Sequence, residues 1–491
     1  METITSFNPG LAILVSLFGA LMILVFSKRP NIRDGVSVLA GIIKFGIVAS
    51  MIPVVMSGKL IELKLWDVLP NLPIMFRVDA FGLLFGLIAS FLWIFTTFYS
   101  IGYMRTLKEH AQTRFFFCFA IALSSAIGIA FSANLFTLFI FFEILTISTY
   151  PLVVHIETPE AMKAGRKYLL YLLTSGVFLL FSIIAVYHYT GTTDFAFGGI
   201  IAGKGIPKNI LILLFVTFMI GSAKAAFMPL HSWLPSAMIA PTPVSALLHA
   251  VAVVKAGVFT ATRIILYIFG IDVMSETGLA LAMAYVVAFT IIVASLFALM
   301  QDNLKKRLAY STISQLSYII LGVAMLTPAG ITGGMMHILN HAFMKITLFF
   351  CAGAFIVASG KEKISEMNGI AKQMPFTMIA FSIGALGMAG TPITAGFISK
   401  WYLLIASMEI SQIPLLLVLL ASSLLNVAYF FPIIINAFFK KPDRVLSYKE
   451  APLFMLVPLL LTALISIIIG IMPDKPLALI AIAVQNLIGG T

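Results

Sequence analysis

The chain has 491 residues, of which 61% are hydrophobic and 10% charged, with a mean hydropathy of +1.08 and a formal net charge of +12. This composition lies far outside the soluble range and excludes a water-soluble enzyme or binding module. The two cysteines, Cys118 and Cys351, both sit in apolar stretches; they are too few for an iron–sulfur or zinc cluster and suggest no disulfide framework.

Windows of about 20 apolar residues, long enough to cross roughly 30 Å of hydrocarbon, recur along the whole length. The first three, near 10–27, 35–56 and 79–101, form an N-terminal group within 10–101. No small-x-small cleavage pattern follows a basic start, so the first reads as a retained helix. Five more follow at 115–131, 134–154, 168–189, 209–229 and 243–266, then another five at 278–300, 308–326, 332–357, 376–400 and 412–438. A fourteenth lies at 452–472, and the short apolar tail from Pro476 to Ile488 is expected on the surface or against a partner, within a C-terminal segment 452–491. The polar stretches 57–78, 190–208 and 358–375 read as ordinary loops. Residues 1–491 thus predict a single membrane domain, an all-α integral membrane protein of about 14 transmembrane helices, with no room for a soluble catalytic module.

A charge of +12 raises the question of a nucleic-acid partner, and its placement answers it. With the N-terminus outside, 19 of the 31 basic residues fall in inside-facing loops, among them Arg33, Arg105, Lys108, Arg114, Lys305, Arg307 and Arg444. Seven fall outside (Lys59, Lys64, Arg77, Lys204, Lys208, Arg263, Lys475) and five lie within spans. Basic residues gather on the cytoplasmic side of membrane proteins, so both termini are expected on the extracytoplasmic side of the cell membrane. The charge reports topology, and no nucleic-acid partner is expected.

Two spans are interrupted. The seventh carries Lys224 and then Pro229, with Pro235, Pro241 and Pro243 close behind; the twelfth has Gly387, Gly390, Pro392 and Gly396 ahead of Lys400. Bare backbone at membrane depth is tolerated only where protein or water satisfies it. The breaks are five spans apart, and an odd-numbered unit repeated in tandem must come out inverted. Residues 115–266 and 278–438 are therefore expected to be inverted five-helix repeats, each with one broken helix, an arrangement that points to an ion path.

Charges near mid-span mark the same path, because each costs several kcal/mol in hydrocarbon. Glu143 is the only acid at such depth; Lys44, Lys224, Lys255, Lys345 and Lys400 are the bases. Low dielectric penalises an isolated charge, so what lies beside each group decides where its proton resides. A static ion pair, or a lysine reaching to the surface, is the bland alternative for Glu143, Lys224 and Lys255. His337, His341 and Lys345 recur at i, i+4 and i+8, one helical stripe about 12 Å long. Histidine titrates nearest neutrality, which suits a proton wire with water between its members. No carboxylate or thiolate accompanies the pair as a metal site would require, though buried structural histidines are an alternative. His231 and His249 flank the break in the seventh span and the start of the eighth, in position to connect Lys224 and Lys255. Lys44 has no histidine, break or acid near it, which favours a structural or partner-facing role. Phosphate loops, dinucleotide fingerprints, haem motifs and nucleophile motifs are absent. No cofactor or metal is expected in this chain, and energy must come from an ion gradient or from other subunits.

Five segments, "AKAAFMPLHSWLPSAM", "APTPVSALLHAVAVVKAGVF", "QDNLKKRLAYSTISQLSY", "HILNHAFMKITLFFCAGAF" and "GTPITAGFISKW", together resemble the antiporter-like subunits shared by respiratory complex I, Mrp-type cation/proton antiporters and membrane-bound hydrogenases. The resemblance runs from about 79 to 438. It implies that Glu143 pairs with Lys224, and that Lys255, His337, His341 and Lys345 continue a horizontal polar axis ending at Lys400. A lysine at that last position looks more like the Mrp and hydrogenase branches. Phe142 stands where complex I relatives often have tryptophan, and the chain ends soon after its last span, without the lateral helix of the largest complex I subunit. The implied role is proton translocation within a larger assembly, with membrane subunits and, in a redox-driven complex, peripheral iron–sulfur or nickel–iron subunits as partners. The alternatives are a subunit of a stand-alone Mrp-type Na⁺/H⁺ antiporter, a transporter of an anionic solute, and a purely structural membrane arm.

Overall fold

A computed structural model describes residues 2–70, 72–442 and 447–489; Arg444 of the inside-facing basic set lies outside the described residues. Helices dominate in chain order: α1 (Asn8–Val25), α2 (Pro30–Met56), α3 (Ala80–Thr106), α4 (Gln112–Ala130), α5 (Leu135–Val153) and α6 (Pro159–Thr190). Next come α7 (Lys208–Gly221), α8 (Thr242–Phe269), α9 (Leu279–Leu299), α10 (Leu304–Ala324) and α11 (Pro328–Ser359). The chain closes with α12 (Pro375–Ala389), α13 (Ala395–Glu409), α14 (Ile413–Phe439), α15 (Leu453–Ile471) and α16 (Asp474–Ile488). Among the described residues, 11 of these helices are long and apolar enough to cross a membrane. The other three expected spans correspond to the short α7, to α10 with its basic first turn, and to the split pair α12 and α13.

Helix ends follow local chemistry. Asp79, Asn134, Thr158, Asn303 and Thr327 cap α3, α5, α6, α10 and α11, each side-chain oxygen accepting from a first-turn N–H. Pro159 and Pro328 occupy the first turns of α6 and α11, where the missing N–H costs nothing, and Gly191 and Gly360 close both helices in the left-handed conformation. The two 32-residue helices α6 and α11 are therefore bounded at both ends by residues suited to stop them.

The segment 57–78, expected as a loop, is a small sheet. β2 (Leu60–Leu69) pairs antiparallel with β3 (Leu72–Val78) and parallel with β1 (Thr3–Thr5). Register shifts between Lys64 and Trp66 and between Asp67 and Leu69 break the period-two alternation that marks a strand. Ile61 and Leu63 face inward, and Arg77 pairs with Glu62 across the ladder.

Burial grades the helices. α8 is wholly buried and α11 nearly so, whereas α1, α2, α14 and α15 present broad apolar faces outward. α10 lies between α9 and α11, and α11 also packs against α13 and α15. Several basic residues read as loop charges are in fact buried ties. Arg263, expected outside, is bound in two-pronged fashion by Asp79 at 2.6 and 2.7 Å and is enclosed by Phe81, Phe195, Phe259 and Tyr267. Lys305 donates to the Ala240 carbonyl at 2.8 Å, and Arg307 donates to the Tyr429 carbonyl at 2.8 Å. Their sequence positions near helix ends hid the carbonyls that neighbouring helices offer.

The Asp79–Arg263 pair fastens α3 to α8. Removing one partner from such a pair leaves a buried charge and costs about 3–5 kcal/mol. Asp79→Asn is therefore expected to lower the thermal midpoint of the detergent-purified protein sharply, while the double change Asp79→Leu with Arg263→Met recovers much of the loss; a detergent thermal melt checks both.

Candidate functional site: a polar axis through the helix core

The first break falls earlier than the prolines suggested. α7 stops at Gly221, and a 3-10 turn over Ala223–Ala225 carries Lys224 before the chain leaves through Ala226 in the left-handed conformation, φ 56°. This turn fits against α8 because residue 257 is glycine: a Cβ there would meet the Ala225 nitrogen at 2.1 Å and the Lys224 carbonyl carbon at 2.3 Å. Lys224 is fully buried, and among the described residues its ammonium has no hydrogen-bond partner; it sits 3.3 Å above the Phe142 ring. A cation over an aromatic face gains electrostatic stabilisation without a hydrogen bond.

Glu143 follows Phe142 on α5 and is half-buried, with its Oε1 buried and unpartnered. Its carboxyl occupies a notch at Gly176 of α6, where a Cβ would stand 2.4 Å from Oε1. Glu143 and Lys224 lie close enough to feel each other's charge but are not in ion-pair contact. The ion pair that the resemblance implies is not closed in this structure.

Lys255, buried on α8, meets His341 of α11, with Nζ 2.7 Å from Nδ1. His337, one turn away, has Nδ1 2.8 Å from Ser399 Oγ and Nε2 3.0 Å from Gln315 Oε1. Lys345 turns the other way and donates to Ser311 Oγ at 2.9 Å and the Leu308 carbonyl at 3.3 Å. Tyr429 and Asn426 of α14 close a ring: the Tyr429 hydroxyl contacts Ser311 Oγ at 3.0 Å and Asn426 Oδ1, which accepts from Gln315 at 3.4 Å. Ser311, Gln315, Ser399, Asn426 and Tyr429 therefore belong to the site, though sequence reasoning weighed only charges and histidines. The signal that would have found Ser311 and Gln315 is their i, i+4 spacing on α10, on the face turned to α11.

Lys400 on α13 points back to the break, donating to the carbonyls of Met388 and Ala389 at 2.8 and 3.0 Å and to Ser423 Oγ at 3.1 Å. Those carbonyls are orphans of the C-terminus of α12, where the helix dipole is negative. Gly390, at φ 85°, ends α12 and leaves room for the lysine stem, which a Cβ would meet at 2.6 Å.

Neither His231 nor His249 hydrogen-bonds Lys224 or Lys255. His231 is half-buried, its ring 6.5 Å from that of Tyr310, and His249 is fully buried against Phe349 with both ring nitrogens unpartnered. Lys44 lies apart from the axis, donating to the Leu123 carbonyl at 3.0 Å and facing the Trp93 ring at 4.6 Å. It ties α2 to α3 and α4 and is turned inward, away from any partner.

The arrangement is that of a helical membrane protein with a broken helix at each of two buried lysines and further buried titratable groups between them, of which Lys255 and His341 are in direct contact. The chain belongs to the NADH:quinone oxidoreductase/Mrp antiporter transmembrane family, whose profile matches residues 132–426. It is 30% identical to NADH-quinone oxidoreductase subunit N of Desulforudis audaxviator, over 79% of this chain and 80% of that protein. It is also 30% identical to a putative antiporter subunit mnhA2 of Staphylococcus haemolyticus, over 87% of this chain but 55% of the relative, so it spans about half that protein's length. A chain of the membrane-bound sulfane sulfur reductase, an archaeal respiratory membrane complex, superposes with a TM-score of 0.89 at 26% identity, covering 98% of both chains.

A close-packed glycine and an open one predict different costs for the same methyl group. Gly257→Ala meets backbone that cannot yield and is expected to lose about 1–3 kcal/mol. Gly46→Ala, in the open on α2 with nothing within 4 Å, is expected to be neutral or mildly stabilising. Thermal melts of the two variants in detergent give the comparison.

Proposed function

We propose that this chain is a proton-translocating, antiporter-like subunit of a multisubunit membrane complex, moving H⁺ along Glu143, Lys224, His249, Lys255, His341, His337 and Lys400. The observation that carries the reading is the 2.7 Å contact between Lys255 and His341. It joins the unit 115–266 to the unit 278–438, the proposed inverted repeats, at the centre of the molecule. Separating Glu143 from Lys224 drives the proton off Lys224 toward Lys255, with water bridging the gaps between side chains. The His341–His337 step then delivers it to the Ser399–Lys400 end. At an effective dielectric near 20, moving a charge pair at 4 Å changes energies by about 4 kcal/mol, enough to redirect a proton between neighbouring sites. Lys345 and its ring of Ser311, Tyr429, Asn426 and Gln315 serve as a side reservoir beside the stripe. His231, half-buried at the edge of the first unit, is proposed as an entry group.

The proposed setting is the cell membrane, with both termini on the extracytoplasmic side. Partners are other membrane subunits, supported by relatives named as subunits of such complexes. Redox drive through iron–sulfur or nickel–iron subunits and gradient drive in an Mrp-type antiporter differ in what copurifies with a tagged chain.

Glu143→Ala and Lys224→Ala are each expected to abolish proton translocation by the reconstituted complex while leaving subunit assembly intact. Gln315→Leu, which removes the His337 Nε2 partner beside the path, is expected to slow transport by up to about tenfold, the size of one lost hydrogen bond. Pyranine-reported proton flux in liposomes, with native gels for assembly, measures both; normal flux in either Ala variant removes the mechanism.

A further inference from the structure

Away from the axis, the loop after α3 and the loop after α5 bring three potential metal ligands together. Glu109 and His110 belong to the first loop and His155 to the second, and their ligand atoms all lie within 4.8 Å of one another. We propose that Glu109, His110 and His155 form a binding site for a divalent transition-metal ion of the zinc class.

His155 is the decisive member. Its side chain is wholly buried, yet among the described residues neither ring nitrogen has a hydrogen-bond partner of normal geometry, and Nε2 lies 3.9 Å from Glu109 Oε2. A buried imidazole without a partner forfeits the solvation of both nitrogens, which a ligand at that point restores. The His110 ring stacks on it with centroids 4.8 Å apart, and His110 Nδ1 stands 4.0 Å from the same Glu109 oxygen. Zinc bonds of roughly 2.0–2.1 Å place tetrahedral ligands about 3.3 Å apart, so the set closes on an ion when the ligand atoms draw together by up to about 1.5 Å and the stacked imidazoles turn edge-on toward it.

The charges around the site fit this assignment. The guanidinium of the neighbouring Arg114 is engaged by Glu157 at 2.5 Å and by the His155 carbonyl at 3.3 Å. That leaves the Glu109 carboxylate free to balance the ion. His110 is about half exposed, leaving the fourth position of a tetrahedral ion open to water. The bound ion would clip the α3–α4 connection to the end of α5, the helix that carries Glu143 about 18 Å further along.

The test uses the full chain, purified in detergent without a polyhistidine tag and stripped with a chelator. Zn²⁺ is titrated against a chromophoric chelator, and retained metal is counted after gel filtration. The chain is expected to retain about one Zn²⁺ through three protein ligands. His110→Ala, at an exposed position that leaves folding intact, and His155→Ala should each weaken binding by at least the roughly tenfold that loss of even an outer partner costs. His188→Ala, an exposed histidine at the end of α6, should change nothing. Failure of the unaltered chain to retain zinc, or equal retention by His110→Ala, overturns the site.

Discussion

An unaccompanied charge cannot rest in hydrocarbon, and most of this architecture answers that constraint. Each of the five deep lysines needs something polar or polarisable at its ammonium, and at membrane depth the only sources are other side chains, aromatic faces and backbone freed from helical bonds. The break after α12 supplies backbone of that kind. Lys400 takes the last carbonyls of α12. Lys224 sits on the turn that follows the C-terminus of α7. The C-terminal end of a helix carries partial negative charge, so the break after α12 doubles as a counterion for Lys400.

The lysines differ in how firmly they are held, and that difference separates scaffold from conduit. Lys44 is fixed by a carbonyl and a tryptophan face, and Lys400 by two carbonyls and a hydroxyl. Among the described residues, the one hydrogen-bond partner of the Lys255 ammonium is an imidazole, which can itself take the proton. Lys224 has an aromatic face and a nearby carboxylate but no hydrogen-bond acceptor. The loosest ammonium lies next to the only deep acid, where a small displacement changes the charge balance most. Glycine makes the placement sterically feasible: Gly176 accommodates the Glu143 carboxyl, and Gly257 lets the Lys224 turn approach α8.

Much of this was legible in the sequence, for a physical reason. A charge at mid-span is so costly that its survival already signals a partner, so Glu143, Lys224, Lys255, Lys345 and Lys400 could be picked out one by one. The i, i+4, i+8 spacing of His337, His341 and Lys345 likewise put them on one face of α11. What one-dimensional spacing could not carry were contacts between distant helices. The Lys255–His341 join spans 86 positions, and Asp79 and Arg263 are 184 apart. Neutral Ser311, Gln315 and Asn426 cost too little in a span to attract notice. The strands at 60–78 were missed because two register shifts scrambled their alternation, and the break near Lys224 came before the prolines because Gly221 and the left-handed Ala226 had already ended the helix.

The central claim is that Glu143 changes its protonation state as the complex works. Infrared difference spectroscopy of the assembled complex, with and without an imposed ion gradient, reads this directly through the carboxylic-acid C=O stretch. The account predicts a gradient-dependent carboxyl band that disappears in Glu143→Gln and shifts in Lys224→Met. A complex that transports at full rate with no carboxyl band assignable to Glu143 would contradict it.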